Sequence, residues 1–573
     1  MLIKFVSVIL SMVISFTSFT VSSLSNLIDT AAQMLYGVPY TSYAVETEFF
    51  NDIDDTDVVE MDEASGFIKD KIVVFLDDSI KFSDKVEFFA GCKGILVGWC
   101  TPADLYVLRY PAMTYEKVMQ ECERLDSCEG VTLAMPVFAE KTDENGTPND
   151  NFGFEFSDVV WDETAPSEHN WWLEAIDARQ AWDYSESFSK VNIGVVDSGF
   201  QLNHPELEGK IRFPNEKQAK RNNKNLHGTH VAGIIAAERD NNEGIAGICS
   251  NSQLICVDWS PEGLQLWNTS LAVLFGFSAV VKAGAKAVNF SMGISSGIMG
   301  TRAPWANRVL GVKAVTLVMA SLLKKGYDFV AVQSAGNGNS FGTPIDSINN
   351  GHFSGVNESN IFTGATGVSK SDILDRIIVV AAAKNNGDGT FTQTEFTNVG
   401  PNVSIAAPGE GIYSLGANSD YCSLSGTSMA APMVTAVASL VWSVNPSFSG
   451  KEVKEIVCTS TDKIASVNPS VAYPDGIETM DYPMVNAKLA VEEAMKRTDS
   501  SVGTIEGVIE NAATVEFGGK TYTVIPDGSF SFVASTGEGV LTAYSADGSI
   551  VATFETSIIA GETTNINETE VTV

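Results

Sequence analysis

Apolar and polar positions divide this chain into stretches of different period, and each period predicts a different element. In residues 1–25, MLIKFVSVILSMVISFTSFTVSSLS, an apolar run from Leu2 to Phe16 surrounds a single charge, Lys4, and then gives way to Ser and Thr. That run is short of the ~20 apolar residues that a spanning helix needs. Charge, apolar run and small polar residues, in that order, are the pattern of a secretory signal. The expectation is cleavage near Ser23 or Ser25 rather than a retained N-terminal anchor. No other window is long and apolar enough to cross a bilayer, so no stable membrane span is expected after processing.

Residues 66–140 carry strand-like runs, KIVVFLDD, LYVLRYP and VTLAMPVF. Between them TYEKVMQECERL (114–125) places Val118, Met119, Cys122 and Leu125 on one helical face, with Thr114 at the cap position. This predicts a small α+β unit. The stretch 141–164 opens with KTDENGTPNDN, rich in turn-forming residues, and reads as an exposed linker. From 165 to 497 apolar strands (VNIGVVD, QLICVDW, AKAVNFSMG, DFVAVQSAG, IIVVAAA) alternate with helical patterns. Strands buried on both faces and separated by helices predict an α/β domain, a parallel sheet with helices on both faces. In 503–573 the helical period stops, and short alternating runs such as GSFSFVAS sit between turns such as PDG, predicting a small all-β sandwich.

Composition narrows the function. There are 71 acidic and 36 basic side chains, a formal net charge of −35. Such a surface repels phosphates, so no nucleic-acid partner is expected. Nine of the acidic residues fall in 46–63, and no Lys or Arg lies between Lys4 and Lys69, so 26–65 reads as a solvated acidic linker. The eight cysteines form no tight CxxC pair, and no zinc cluster is expected. In an exported chain they are either oxidised or buried as thiols; spacing leaves both open. Histidine occurs only at 169, 204, 227, 230 and 352, so any His-dependent chemistry has few candidates.

Four segments carry candidate chemistry. VNIGVVDSGF (191–200) delivers Asp197 at the carboxyl end of a strand, where catalytic groups of parallel sheets gather, although an acidic turn residue looks the same. LHGTHVAGIIAAE (226–238) opens an apolar helix with two histidines. They lack the intervening Glu of a zinc-protease helix, so a general base at a helix start suits them better. SLSGTSMAAPMVTAVASLVW (423–442) puts Ser428 at a helix start, where it is either a cap or a nucleophile next to backbone amides able to hold an oxyanion. VQSAGNGNS (332–340) places Asn337 in a Gly-rich turn after a strand, as a turn residue or an amide donor.

Taken together, VVDSGF, HGTHVAG, VNFSMG (288–293), SAGN (334–337), AAPG (406–409) and GTSMAAP (426–432) resemble the motifs of the subtilisin-like serine proteases across residues 165–497. Among the convergent serine-protease triads, the chain order Asp, His, Ser is the one subtilisin has. The resemblance implies Asp197 as the orienting carboxylate, His227 as general base and then acid, Ser428 as nucleophile and Asn337 as oxyanion donor. It implies that Ser291, Met292 and Gly293 pair with an extended peptide or protein substrate through their main chain. It makes His230 structural, and no metal or cofactor is assigned. Met433 stands where the family has a further, non-catalytic His, and the stretches 294–330 and 340–378 look enlarged. Residues 66–138 resemble an inhibitory propeptide, a partner in cis. Residues 503–573 resemble a carboxypeptidase-regulatory-like module. The implied protein is a secreted or cell-surface endopeptidase made as a zymogen. Two alternatives are a catalytically silent adhesion scaffold, against which the full set of four residues argues, and a processing protease with one substrate.

Overall fold

The structure, a computed structural model, describes residues 45–46, 53–61, 65–141, 155–156, 170–214, 227–241, 243–258, 267–292, 305–338, 344, 346, 353–358, 367–416, 419–473 and 475–566. The signal-like segment 1–25, His169, Gly293 and His352 lie outside them.

The N-terminal unit is an antiparallel sheet of β1 (Val45–Glu46), β2 (Val58–Glu60), β3 (Ser65–Leu76), β4 (Ile95–Cys100), β5 (Leu105–Arg109) and β6 (Val131–Lys141). The helix Tyr115–Asp126 covers one face and buries Val118, Cys122 and Leu125, as the periodicity predicts. Thr114 occupies its N-cap position but makes no side-chain cap bond. Two features depart from the expected pattern. A second helix, Phe82–Gly91, and strand β4 lie in a stretch that Gly and Cys residues made hard to read. Part of the acidic segment 26–65 is also packed rather than solvated: β1 pairs with β4, β2 pairs with β3, and Ile53 is fully buried. The charges there are absorbed locally. Asp54 and Asp57 form a capping box, and Lys69 meets Asp57 at 3.1 Å.

Two residues of the expected linker 141–164, Glu155–Phe156, form β7. The central sheet then contains the parallel run β9-β10-β8-β12-β13-β14-β16. Its members are β8 (Asn192–Asp197), β9 (Ile211–Arg212), β10 (Gln253–Asp258), β12 (Ala287–Phe290), β13 (Val330–Ser334), β14 (Ile377–Asn385) and β16 (Ile405–Pro408), and β15 (Phe391–Gln393), β19 (Ile464–Ser466) and β20 (Tyr482–Pro483) extend the sheet beyond β14. These strands are mostly apolar because helices cover both faces. The helices Ser270–Lys282 and Trp305–Lys324 lie on one side, and His227–Ala236 and Thr427–Val444 on the other. Against the expectation that no window after residue 25 is long and apolar enough to cross a bilayer, the helix Thr427–Val444 is, the one such helix among the described residues, but it is almost wholly buried inside the protein. It is a core helix.

Strand β11 (Trp267–Thr269), just before the helix Ser270–Lys282, leaves the central sheet and pairs antiparallel with β6, so the N-terminal sheet ends on a strand from the α/β domain. The hairpin β17 (Ile412–Leu415) and β18 (Tyr421–Leu424) receives β7 as a third strand. At the C-terminus seven strands from β21 (Val502–Val508) to β27 (Thr563–Ile566) form two sheets of three and four strands.

Candidate active site

The parallel register sets the site. Val195 of β8 lies opposite Asn289 of β12, so two residues further on Asp197 and Ser291 stand level at the strand ends. Phe290 lies opposite Gln333 of β13, which brings Ser334 and the following SAGN turn to the same edge. The carboxyl edge of the sheet thus gathers two of the four chemistry-bearing segments, those of Asp197 and Asn337, and the starts of the helices His227–Ala236 and Thr427–Val444 supply the other two.

Asp197 and His227 are both buried, and His227 Nδ1 lies 2.5 Å from Asp197 Oδ1. The same oxygen accepts the Ser198 N–H at 2.6 Å. With Nδ1 engaged by the carboxylate, base chemistry falls to Nε2. The helix is seated close to the β8 end: Gly228 N–H donates to Ser198 C=O at 2.9 Å. A Cβ at Gly228 would stand 2.6 Å from the Gly199 carbonyl oxygen, so glycine is required for this approach. One turn on, His230 is fully buried, with Nε2 3.1 Å from Ile412 O and 3.2 Å from Cys422 O. Burial, with a smaller contribution from His227, pushes its imidazole down to about 3. It is a neutral donor that ties the histidine helix to the β17–β18 hairpin.

Ser428 is the second residue of its helix, and Gly426 is the N-cap. The serine is therefore not the cap. Its N–H is among the first-turn donors that have no intrahelical partner. Its hydroxyl donates to Ser291 C=O at 3.2 Å, and the Ser291 hydroxyl donates back to Ser428 C=O at 2.7 Å. Asn337 is tied to the neighbouring residue: its Oδ1 accepts both the Thr427 N–H and the Thr427 hydroxyl, each at 2.8 Å. That fixes the amide so that Nδ2 is the end able to meet an anion. The turn carrying Asn337 needs left-handed backbone at Gly336 (φ 99°), whose N–H donates to Thr427 Oγ1 at 3.1 Å.

Sequence reasoning missed several supporting groups. Asn398 braces the turn, with its Nδ2 on Ala335 C=O and its Oδ1 accepting the Gly338 N–H. Nothing around it in the sequence marks it. Strand β11, an edge that already accepts an extended partner, sits in a stretch without strand periodicity. Of the proposed substrate edge, Ser291 and Met292 are buried in the intact chain, and Gly293 lies outside the described residues. Among the described residues no group of three or more His, Cys, Asp or Glu is placed to hold a metal ion. All eight cysteines are thiols here. Burial pushes Cys100 up to about 11 and Cys249 up to about 12, which keeps them protonated.

A carboxylate–imidazole pair, a helix-start serine and an oriented amide at one sheet edge can perform acyl transfer. Comparison with known proteins agrees. The model of the subtilase family, Peptidase S8, matches residues 189–491, more than half of the chain. Thermitase of Thermoactinomyces vulgaris is 32% identical over 297 residues, 51% of this chain and 88% of thermitase. A thermostable alkaline protease of Halalkalibacterium halodurans is 28% identical over 327 residues, 56% of this chain and 74% of its own length. The crystal structure of fervidolysin from Fervidobacterium pennivorans shares the fold, with a TM-score of 0.52 at 19% identity, covering 89% of this chain and 79% of that one. With the motifs, the α/β sheet and these relatives in agreement, the chain belongs to the subtilase family and is a subtilisin-like serine protease, a hydrolase.

Proposed function

We propose that this chain is an exported endopeptidase made as a zymogen, with Ser428 as nucleophile, His227 as base and acid, Asp197 as the orienting carboxylate and Asn337 as oxyanion donor. The observation that carries the reading is the 2.5 Å contact between His227 Nδ1 and Asp197 Oδ1, which leaves Nε2 to take a proton. Serine is a weak nucleophile at neutral pH and needs such a base. In the first step Ser428 Oγ bonds to the scissile carbonyl carbon as its proton passes to Nε2. The carbonyl oxygen becomes an anion that the Asn337 amide and the Ser428 N–H stabilise. Collapse breaks the C–N bond, and Nε2 returns the proton to the leaving amine. Water then repeats the sequence on the acyl-enzyme and releases the acid.

Latency is supported by the way β6, the last strand of the N-terminal unit, already occupies the β11 edge, with Thr269 opposite Ala139. An extended substrate needs such an edge. The pairing of β7 with β18, the strand leading into Gly426-Thr427-Ser428, attaches a second segment of the region before Trp171 to the strand that precedes the nucleophile. Maturation would cut between about Phe138 and Trp171. Export rests on the pattern of residues 1–25.

A fluorophosphonate probe and mass spectrometry test the assignment. Label on Ser428 of the mature protein is expected, with none after His227→Ala. Label elsewhere, or none on mature wild-type protein, would refute it. N-terminal sequencing of the active species tests the zymogen: a start near residue 25, with full activity, would remove it.

A further inference from the structure

We infer that Ser291 is a positioning residue for the nucleophile, acting through its side chain and held in place by Asn289 and Thr435; the inference rests on Ser428 being that nucleophile. It begins with a gap in the serine helix. In an α-helix the carbonyl of residue 428 would accept the N–H of residue 432. Here residue 432 is Pro432, inside the helix Thr427–Val444, and proline has no N–H. The carbonyl of the nucleophilic residue has therefore lost its helical partner in a buried site. The Ser291 hydroxyl fills the gap at 2.7 Å, from the end of a different element.

The donor is oriented in turn. Asn289 Nδ2 donates to Ser291 Oγ at 2.9 Å, so the serine oxygen spends a lone pair on the amide and turns its proton toward Ser428. The Asn289 amide is oriented by Thr435, two turns along the serine helix, whose hydroxyl lies 3.1 Å from Asn289 Oδ1 and 3.0 Å from Ala431 O. Asn289, Ser291, Thr435 and Ser428 are all buried, so water does not substitute for a lost member. The chain Thr435–Asn289–Ser291–Ser428 closes a loop between strand β12 and the helix and fixes the peptide plane that follows the nucleophile. The main-chain carbonyl of Ser291 completes the arrangement by accepting the resting Ser428 Oγ–H at 3.2 Å. A substrate N–H that takes that carbonyl would release the hydroxyl toward His227.

The test uses mature protein and two readouts, the rate of fluorophosphonate labelling and the separate kcat and KM for a peptide substrate. Ser291→Ala should lower kcat and the labelling rate about ten- to a hundredfold, the loss expected for a buried acceptor left unpaired, with KM changed less than about threefold. Thr435→Val should lower both rates about three- to tenfold, and Thr435→Ser should restore them. The decisive variant is Pro432→Ala in the Ser291→Ala background. It returns an N–H at residue 432 to the orphaned carbonyl and should recover at least about fivefold of the lost kcat. Circular dichroism confirms folding, and Thr435→Val carries the test if Ser291→Ala does not fold. Wild-type rates in Ser291→Ala would overturn the inference, as would a deficit that Pro432→Ala leaves untouched. Failure of wild-type protein to label at Ser428 would instead refute the nucleophile assignment.

Discussion

The α/β domain is joined at each end to a small β-rich unit, and the two joints are built from different materials. At the N-terminal joint an apolar face that includes Val73, Phe75, Met135 and Val137 shares a core with the helices Ser270–Lys282 and Trp305–Lys324. Around it are lysines: Lys324 meets Asp78 at 2.8 Å, and Lys325 contacts Asp104 together with the carbonyls of Thr101 and Pro102. The strand pairing of β6 with β11 completes it. The lysines and Asp78 reach solvent, whereas Asp104, Pro102 and the paired Ala139 and Thr269 are buried.

At the C-terminal joint the central polar group is inside. Tyr184 is 3% exposed; its hydroxyl donates to Glu492 Oε1 at 2.7 Å and accepts the Val533 N–H at 2.9 Å. Half-buried Asp183 accepts the Thr523 N–H at 2.7 Å and its hydroxyl at 3.1 Å. Removing Tyr184 while the joint stays closed would leave Glu492 and the Val533 N–H buried without this partner, at a cost of about 1–3 kcal/mol each. The comparison sets a joint with charged contacts that reach solvent, which the proposed release of the N-terminal unit would need, against a joint built around a buried tyrosine.

The largest effect that bears on this contrast is chemical. Ser428→Ala should lower peptidase activity by about 10⁶-fold and leave the chain uncut, with the N-terminal unit still attached. Gel analysis of the purified variant checks this, and efficient self-processing would contradict it. Next, Tyr184→Ala should destabilise the protein by about 3–5 kcal/mol, through lost packing and two orphaned partners. Denaturant titration should show the C-terminal unit melting earlier while the N-terminal joint is unaffected. A loss below about 1 kcal/mol would mean that the joint is held elsewhere.

A pH effect of about 2 kcal/mol should follow from Asp183. Burial raises its carboxyl to about 6, above the ~3.9 of an unfolded aspartate. The folded state then holds a proton that the unfolded state has lost, so the stabilisation is full below about pH 4 and disappears as pH rises through 6. The stability difference between wild type and Asp183→Asn should therefore move against the wild type between those values. A pH-independent difference would refute the assignment. The smallest effect belongs to the rim. Lys325→Ala should weaken inhibition of mature enzyme by added 66–140 fragment about three- to tenfold at low salt, less at 1 M salt. Equal loss at both ionic strengths would show that the contact is not a screened ion pair.

Much of this architecture was legible because its signals are local. The central strands are unbroken apolar runs, and Asp197, His227, Asn337 and Ser428 each sit in a short segment with its own turn or helix-start chemistry. What stayed hidden depends on partners far away in the chain. Nothing near Thr435 signals that it meets Asn289, 146 residues earlier, and nothing near Asn398 signals that it braces the Asn337 turn. The acidic stretch misled for a related reason. Its charge density suggests solvation, but the capping box of Asp54 and Asp57 and the buried Ile53 make part of it a packed edge.

Strand β11 has a further consequence. It accepts a neighbour through main-chain N–H and C=O groups, which are the same in every residue but proline. An edge of that kind reads extension rather than identity. A helix or a strand already paired within its own sheet has no groups to offer it. On the proposed reading, susceptibility is then set first by whether a target can present a few residues as free, extended chain, and only afterwards by its side chains. Heat, reduction or partial unfolding of a target should widen the range of proteins attacked, with no change in the enzyme.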